Sequence, residues 1–117
     1  MDKRLVTYIG FAIKKGSVTY GADKLTEKGS RTHADVVLMG FDAGKNTVKM
    51  TVKHCLEKKI PLYVTNEQPL SVYCNRQCKV IAITDRNLAS AVVKTIEETA
   101  GKDFIIYTEV QPIDNNK

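Results

Sequence analysis

Two apolar runs joined by a lysine-rich helical pattern constrain this chain more than any other feature. Val36-Val37-Leu38-Met39 has no polar alternation, as expected of a strand covered on both faces. A turn with Gly40, Asp42, Gly44 and Asn46 follows, then a helical stretch, then Ile60-Pro61-Leu62-Tyr63-Val64. The spacing allows a helical crossover between parallel strands. Val48, Val52, Cys55 and Leu56 recur at helical spacing and predict the buried stripe of that helix. Lys45, Lys49 and Lys53 form a second stripe that must face water. Asp42 or Asn46 can cap the helix, since either side chain accepts a hydrogen bond from a first-turn amide.

The flanking sequence continues the alternation of helix and strand. Leu5, Tyr8, Ile9, Ala12 and Ile13 make an amphipathic stripe closed by Lys14, Lys15 and Gly16, a basic last turn with a glycine stop. Val18-Thr19-Tyr20 reads as a brief strand ending at Gly21. A second helix is predicted from Ala22 to Lys28 or Arg31, with Ala22 and Leu25 inward. Asn66 to Leu70 reads as the capped start of a short helix, with Pro69 in its first turn, where no amide is needed; Leu70, Val72 and Tyr73 anchor it. Cys74 to Lys79 is a polar, partly basic loop. Val80 to Ile83 is a further buried-type strand. Thr84-Asp85-Arg86-Asn87 supplies turn and cap chemistry before a helix with Leu88, Ala91, Val92 and Ile96 inward and Gly101 at its end. The predicted fold is α/β, a three-layer α/β/α sandwich with a small mixed four-stranded sheet. Residues 1–101 form one domain and residues 102–117 an extension. Phe104 to Val110 has high β propensity, so it either packs on the domain or is covered by a second chain.

Composition narrows the function. The chain has 117 residues and a formal charge of +5, a size at which one core suffices without disulfides. Residues 1–79 hold 14 Lys and Arg against 7 Asp and Glu, whereas residues 80–117 hold 4 against 6. The basic character therefore belongs to the first two thirds, which suits a polyanionic partner as well as plain solubility. No apolar run approaches the roughly 20 residues that span a bilayer, and Met1-Asp2-Lys3-Arg4 leads into an amphipathic pattern rather than a signal core. A soluble cytoplasmic protein without a membrane partner is expected. Three cysteines, an odd number, argue for reduced thiols. Cys74 and Cys78 form C-x3-C, with His54 and Cys55 elsewhere. A structural zinc site wants four ligands, and Cys55 falls on the buried stripe, so neither a metal nor a cofactor is expected. No phosphate-binding glycine loop and no catalytic constellation stands out.

Gly21-Ala22-Asp23, Val37 to Thr47 with its Asp-Ala-x-x-Asn-Thr turn, Cys55, Ile60-Pro61 and Val80-Ile81-Ala82-Ile83-Thr84-Asp85 together resemble the kink-turn-binding ribosomal protein family (the L-seven-Ae and L-thirty-e type), especially its small bacterial YlxQ-like branch. The resemblance runs from about Lys3 to Ile96. It implies a non-catalytic binder of structured RNA, ribosomal RNA or another kink-turn RNA, associated with the ribosome. By the same resemblance, the start of the second helix meets the bent RNA backbone and the loop before the last core strand closes over the other side. Proteins read RNA sequence at such splayed nucleotides, because the deep A-form groove excludes side chains. The implied contacts are Gly21, Asp23, Lys24, Glu27 and Lys28 on one side, and Val72, Tyr73, Cys74, Asn75 and Arg76 on the other. Here Asp23, Lys24 and Glu27 stand where the family has Asn, Glu and Lys, and Lys28 adjoins the place of the missing lysine. The family's Leu-Gly in the closing loop is Leu70-Ser71, with Asn75 in place of a further glycine. In a rival reading, a member that has lost kink-turn recognition acts as a dimeric protein-interaction module, its homodimer joined through residues 104–110. A thiol or metal protein is the third reading.

Overall fold

The computed structural model describes residues 2–27 and 33–107. Helices and strands follow in the order α1 (Lys3–Lys15), β1 (Val18–Tyr20), α2 (Ala22–Leu25), β2 (Val36–Met39), α3 (Lys45–Lys58), β3 (Leu62–Thr65), α4 (Ser71–Cys74), β4 (Val80–Ile83), α5 (Arg86–Glu98) and β5 (Phe104–Ile106). The strands form one mixed sheet in the order β1-β4-β2-β3-β5. As the crossover predicts, β2 and β3 are parallel, Val37 opposite Leu62 and Met39 opposite Val64. Strand β4 lies antiparallel to both β2 and β1.

Among the described residues the sheet has five strands, which corrects the expected four. Phe104–Ile106 pairs antiparallel with β3, Phe104 opposite Thr65, and the Phe104 side chain is fully buried. Of the two possibilities for this segment, its described part packs on the domain.

Successive strand residues point to opposite faces, and the two cores divide accordingly. Val36, Leu38, Ile81 and Ile83 join Leu5, Ile9 and Ala12 of α1, Tyr73 of α4 and Val92 and Ile96 of α5. Val37, Met39, Val80 and Ala82 join Ala22, Leu25 and Cys55. Every residue of β2 and β4 is buried, so the absence of polar alternation in both runs has a direct cause. Helices α1 and α5 run antiparallel, since the start of α1 meets the end of α5 through Arg4 and Glu98 at 2.7 Å and Lys15 pairs with Asp85 at the opposite ends. Asp2 caps α1 by accepting the Arg4 amide at 2.8 Å, and Asp85 caps α5 by accepting the Leu88 amide at 2.9 Å. Among the described residues, no helix is long and apolar enough to cross a membrane.

Several local expectations need correction. Helix α3 starts after Gly44 without a side-chain cap. Asp42 is held instead by Lys79 at 2.5 Å, and Asn46 already lies inside the first turn. The face of α3 turned to the sheet is centred on Thr51 and Cys55, with Val48 and Val52 at its margin; Leu56 is 53% exposed. A threonine thus holds a position that hydrophobic spacing alone assigns to an apolar residue. Helix α5 is likewise centred on Ala89, Val92, Thr95 and Ile96, and ends at Glu98 before Gly101. Helix α2 stops at Leu25, short of Lys28: Thr26 closes it, its Oγ1 donating to the Ala22 carbonyl at 2.9 Å.

Candidate nucleic-acid interface

Strand pairing creates the site by placing distant segments at one end of the sheet. Tyr20 ends β1 opposite Ile81, and Val80 begins β4 opposite Met39, the last residue of β2. The Gly21 amide extends this edge by donating to the Val80 carbonyl at 2.8 Å, and the Gly40 amide donates to the Lys79 carbonyl at 2.8 Å. The loops after β1 and β2 and before β4 therefore open on the same end.

Gly21 has φ +88°, and an added Cβ would meet nothing within 4 Å. Side chains disfavour that conformation, while the open space lets a ligand approach the backbone closely. Asp23, Lys24 and Glu27 follow as exposed side chains at the first turn and end of α2. A single helical turn has no long dipole, so local charge and backbone carry whatever affinity resides here. Lys28 lies outside the described residues.

The second half of the predicted site separates into two groups. Val72 is half-buried against the core. Tyr73 is 2% exposed, donates its hydroxyl proton to Asp103 Oδ1 at 2.8 Å and packs its ring against Phe104 at 4.8 Å between centroids. Burial, and then the Asp103 carboxylate, push the Tyr73 pKa up. Asp103 also accepts the Asp2 amide at 3.1 Å, so this buried carboxylate ties α4 to the start of α1. Cys74 is buried, with its Sγ 3.2 Å from that of Cys78. Asn75 and Arg76, by contrast, are exposed. Asn75 takes the left-handed conformation, φ 54° and ψ 40°, at the end of α4, as its short polar side chain permits.

Arg76 brings the two halves together. Its guanidinium lies 3.9 Å over the Tyr20 ring, next to Gly21. Cation–π stacking of this kind leaves the edge of the guanidinium plane available for hydrogen bonds. Sequence reasoning placed Tyr20 only in a strand and missed it as the platform under Arg76. It also missed Phe41, 54% exposed in the turn after β2, and the neighbouring Lys79–Asp42 pair. An aromatic residue within a Gly/Asp turn was the available signal for Phe41.

Lys45, Lys49 and Lys53 lie exposed along α3, bordering an apolar groove that contains Val48, Val52, Leu56 and Tyr107. Among the described residues, no three His, Cys, Asp or Glu side chains cluster so as to hold a metal.

The mixed sheet and the loop cluster at its end define an α/β fold shared with solved proteins. One, a protein of unknown function from Bacillus halodurans C, matches with a TM-score of 0.68 at 21% identity, over 80% of this chain and 96% of its own. Another, the 15.5kD RNA binding protein of Giardia lamblia, matches with a TM-score of 0.62 at 19% identity, over 81% of this chain and 86% of its own. No protein-family model and no curated protein matches the chain.

Proposed function

We propose that this protein is a non-catalytic binder of structured RNA that recognises kink-turn-type RNA in the cytoplasm, in association with the ribosome. The single observation that carries the reading is the stacking of Arg76 on Tyr20, which sets a planar cation beside the open backbone of Gly21. The RNA-binding neighbour supports it through the shared fold, and the helices about the two cores are taken as the outer layers of a three-layer sandwich. Lys24 and Arg76 contact phosphates and position the protein, while Asp23 reads a base edge. Phe41 offers an exposed ring on which an unpaired base can stack. Val72, Tyr73 and Cys74 hold the Asn75-Arg76 turn in place from below.

The test is binding to a kink-turn RNA and to a straight duplex of equal length at several salt concentrations. Specific recognition predicts a preference for the kinked RNA that persists as salt rises. Equal affinities that fall together with salt leave only counterion release and overturn the proposal.

A second reading, a dimeric or protein-interaction module, is favoured by one observation. The groove lined by α3 and Tyr107 has a volume of about 540 Å³ and includes the exposed Leu56, and Ile105 and Ile106 of β5 are exposed as well. Sedimentation of the full chain alongside the Ile105→Lys/Ile106→Lys variant separates the readings. A dimer that the variant dissociates supports the module; a monomer in both refutes its dimeric form.

A further inference from the structure

The turn that presents Arg76 also holds two thiols. Cys74 ends α4 and Cys78 lies just before β4, with their Sγ atoms 3.2 Å apart. Cys74 is buried among the carbonyls of Leu70, at 3.5 Å, and Arg76, at 3.4 Å; Cys78 is half-buried and gives solvent its approach to the pair. The left-handed Asn75 reverses the chain between them. A disulfide needs its sulfurs about 2.0 Å apart, so closure demands an approach of only about 1 Å.

We propose that Cys74 and Cys78 form an oxidisable dithiol, closed by exchange with a low-molecular-weight disulfide, and that closure weakens RNA binding at the adjoining site. The effect on RNA rests on the proposed function; the thiol chemistry does not. The thiolate of the pair attacks one sulfur of the reagent, whose S–S bond breaks, and the departing thiolate takes up a proton. The second cysteine loses its proton to solvent and attacks the mixed disulfide, forming the Cys74–Cys78 bond and expelling the other half of the reagent. Two protein thiols are thereby oxidised by two electrons, and one disulfide is reduced to two thiols.

Three features suit the pair to this chemistry. The contact between the two sulfurs lowers the Cys74 thiol pKa and raises that of Cys78, so one member of the pair gives up its proton more readily than the other. The third cysteine, Cys55, sits in the opposite core, where burial pushes its thiol up to about 12, so it reacts last. Arg76 lies within the five-residue ring that the bond would close. The turn is already held by the Asn75 amide on the Ser71 carbonyl at 2.8 Å, so the bond adds little preorganisation. Closure instead acts on the turn that seats the Arg76 guanidinium on Tyr20.

The test treats the full chain with oxidised glutathione and follows intact mass and digested peptides without reductant. Loss of two hydrogens, with a Cys74–Cys78 link and a free Cys55, is expected. Cys78→Ser, which keeps the Cys74 nucleophile but removes the resolving thiol, should retain a mixed disulfide instead. A persistent mixed disulfide in the unsubstituted chain, or a link through Cys55, overturns the dithiol. Binding of the kink-turn RNA should then fall at least tenfold on oxidation, recover on reduction, and be indifferent to redox state in the Cys74→Ser/Cys78→Ser double variant. A closed disulfide with unchanged RNA affinity overturns the regulatory half. If the reduced protein does not prefer the kinked RNA, the proposed function fails with it, while the mass measurement still decides the dithiol.

Discussion

Tyr73→Phe separates a ring built into the core from one built to stack on a base. The substitution keeps the ring against Phe104 and removes only the hydroxyl that donates to Asp103 Oδ1 at 2.8 Å. Donor and acceptor are 2% and 5% exposed, so water cannot readily replace the lost bond. A hydrogen bond to a charged group contributes about 1.5–3 kcal/mol. Because Asp103 also accepts the Asp2 amide, a loss near the middle of that range, about 2 kcal/mol, is expected. At the entropy of unfolding typical of a chain this long, the melting temperature should drop by roughly 8 °C. A cycle with Asp103→Asn should show coupling of about 1 kcal/mol between the two sites. RNA affinity should stay within about twofold, since the stability difference leaves the population folded. The pH dependence has a definite sign. Burial raises the folded-state pKa of Tyr73 above its unfolded value of about 10, so its contribution is complete below that pH and is lost as pH rises toward the folded value. The gap between parent and variant should therefore be flat from neutrality to about pH 10 and narrow above it. Thermal melts by circular dichroism, with RNA titrations beside them, decide the matter. A melting temperature lowered by less than about 2 °C, together with a tenfold loss of RNA affinity, would refute the core role of the Tyr73 hydroxyl.

Other substitutions test separate parts of the structure. Thr51 Oγ1 is buried with no hydrogen-bond partner among the described residues, so Thr51→Val should raise stability by about 1 kcal/mol; a lower urea midpoint would show that the hydroxyl is satisfied. Arg76→Ala should weaken binding of the kinked RNA about tenfold and make the salt dependence shallower by about one counterion. Arg76→Lys should restore the salt slope but not the affinity, because an ammonium lacks the planar fork that stacks on Tyr20; equal rescue of both would reduce Arg76 to a point charge. In acid, Asp2, Asp42 and Asp85 are held below the usual carboxylate range by hydrogen bonds from Arg4, Lys79 and Lys15. Their contribution is present above the unfolded pKa of about 3.9 and is lost as pH falls through the folded values. The urea midpoint should accordingly decline below about pH 4, and less steeply in Asp42→Asn; an identical decline in that variant would remove Asp42 as a contributor.

The strands were legible because their residues had no alternative environment. Val36–Met39 and Val80–Ile83 are apolar throughout, and both are buried throughout. The parallel pairing of β2 with β3 followed from the helical spacing between them. Helix faces were legible only to within about one residue: Thr51 and Thr95 take central positions on α3 and α5, and the Thr95 hydroxyl returns its hydrogen bond to the Ala91 carbonyl at 2.8 Å. A pattern that counts threonine as polar turns the helix toward Leu56 or Leu88 instead. The end of α2 was also hidden, since Thr26 stands at its C-cap and no glycine or proline marks the stop.

The candidate site was less legible, because its parts are joined by strand order rather than by sequence. Nothing near Arg76 announces Tyr20, and nothing near Gly21 announces Lys79. They meet because β4, the penultimate described strand, inserts between β1 and β2. That insertion gives the turn before β4 two neighbours, the end of β1 and the start of the loop after β2, and so assembles one surface from three segments. The same topology explains why the turn is anchored from inside. Tyr73 reaches Asp103 beside β5, the last described strand, and Cys74 lies between two carbonyls, so Asn75 and Arg76 project from a support fixed by the C-terminal part of the fold. Perturbing β5 should thus be felt at the candidate site without any direct contact to it. Phe104→Leu, which keeps the core apolar but removes the ring against Tyr73, is expected to loosen the turn and reduce RNA affinity more than Ile106→Ala, whose side chain is 52% exposed. Equal, negligible effects of the two on RNA binding would show that the Asn75-Arg76 turn holds its shape without β5.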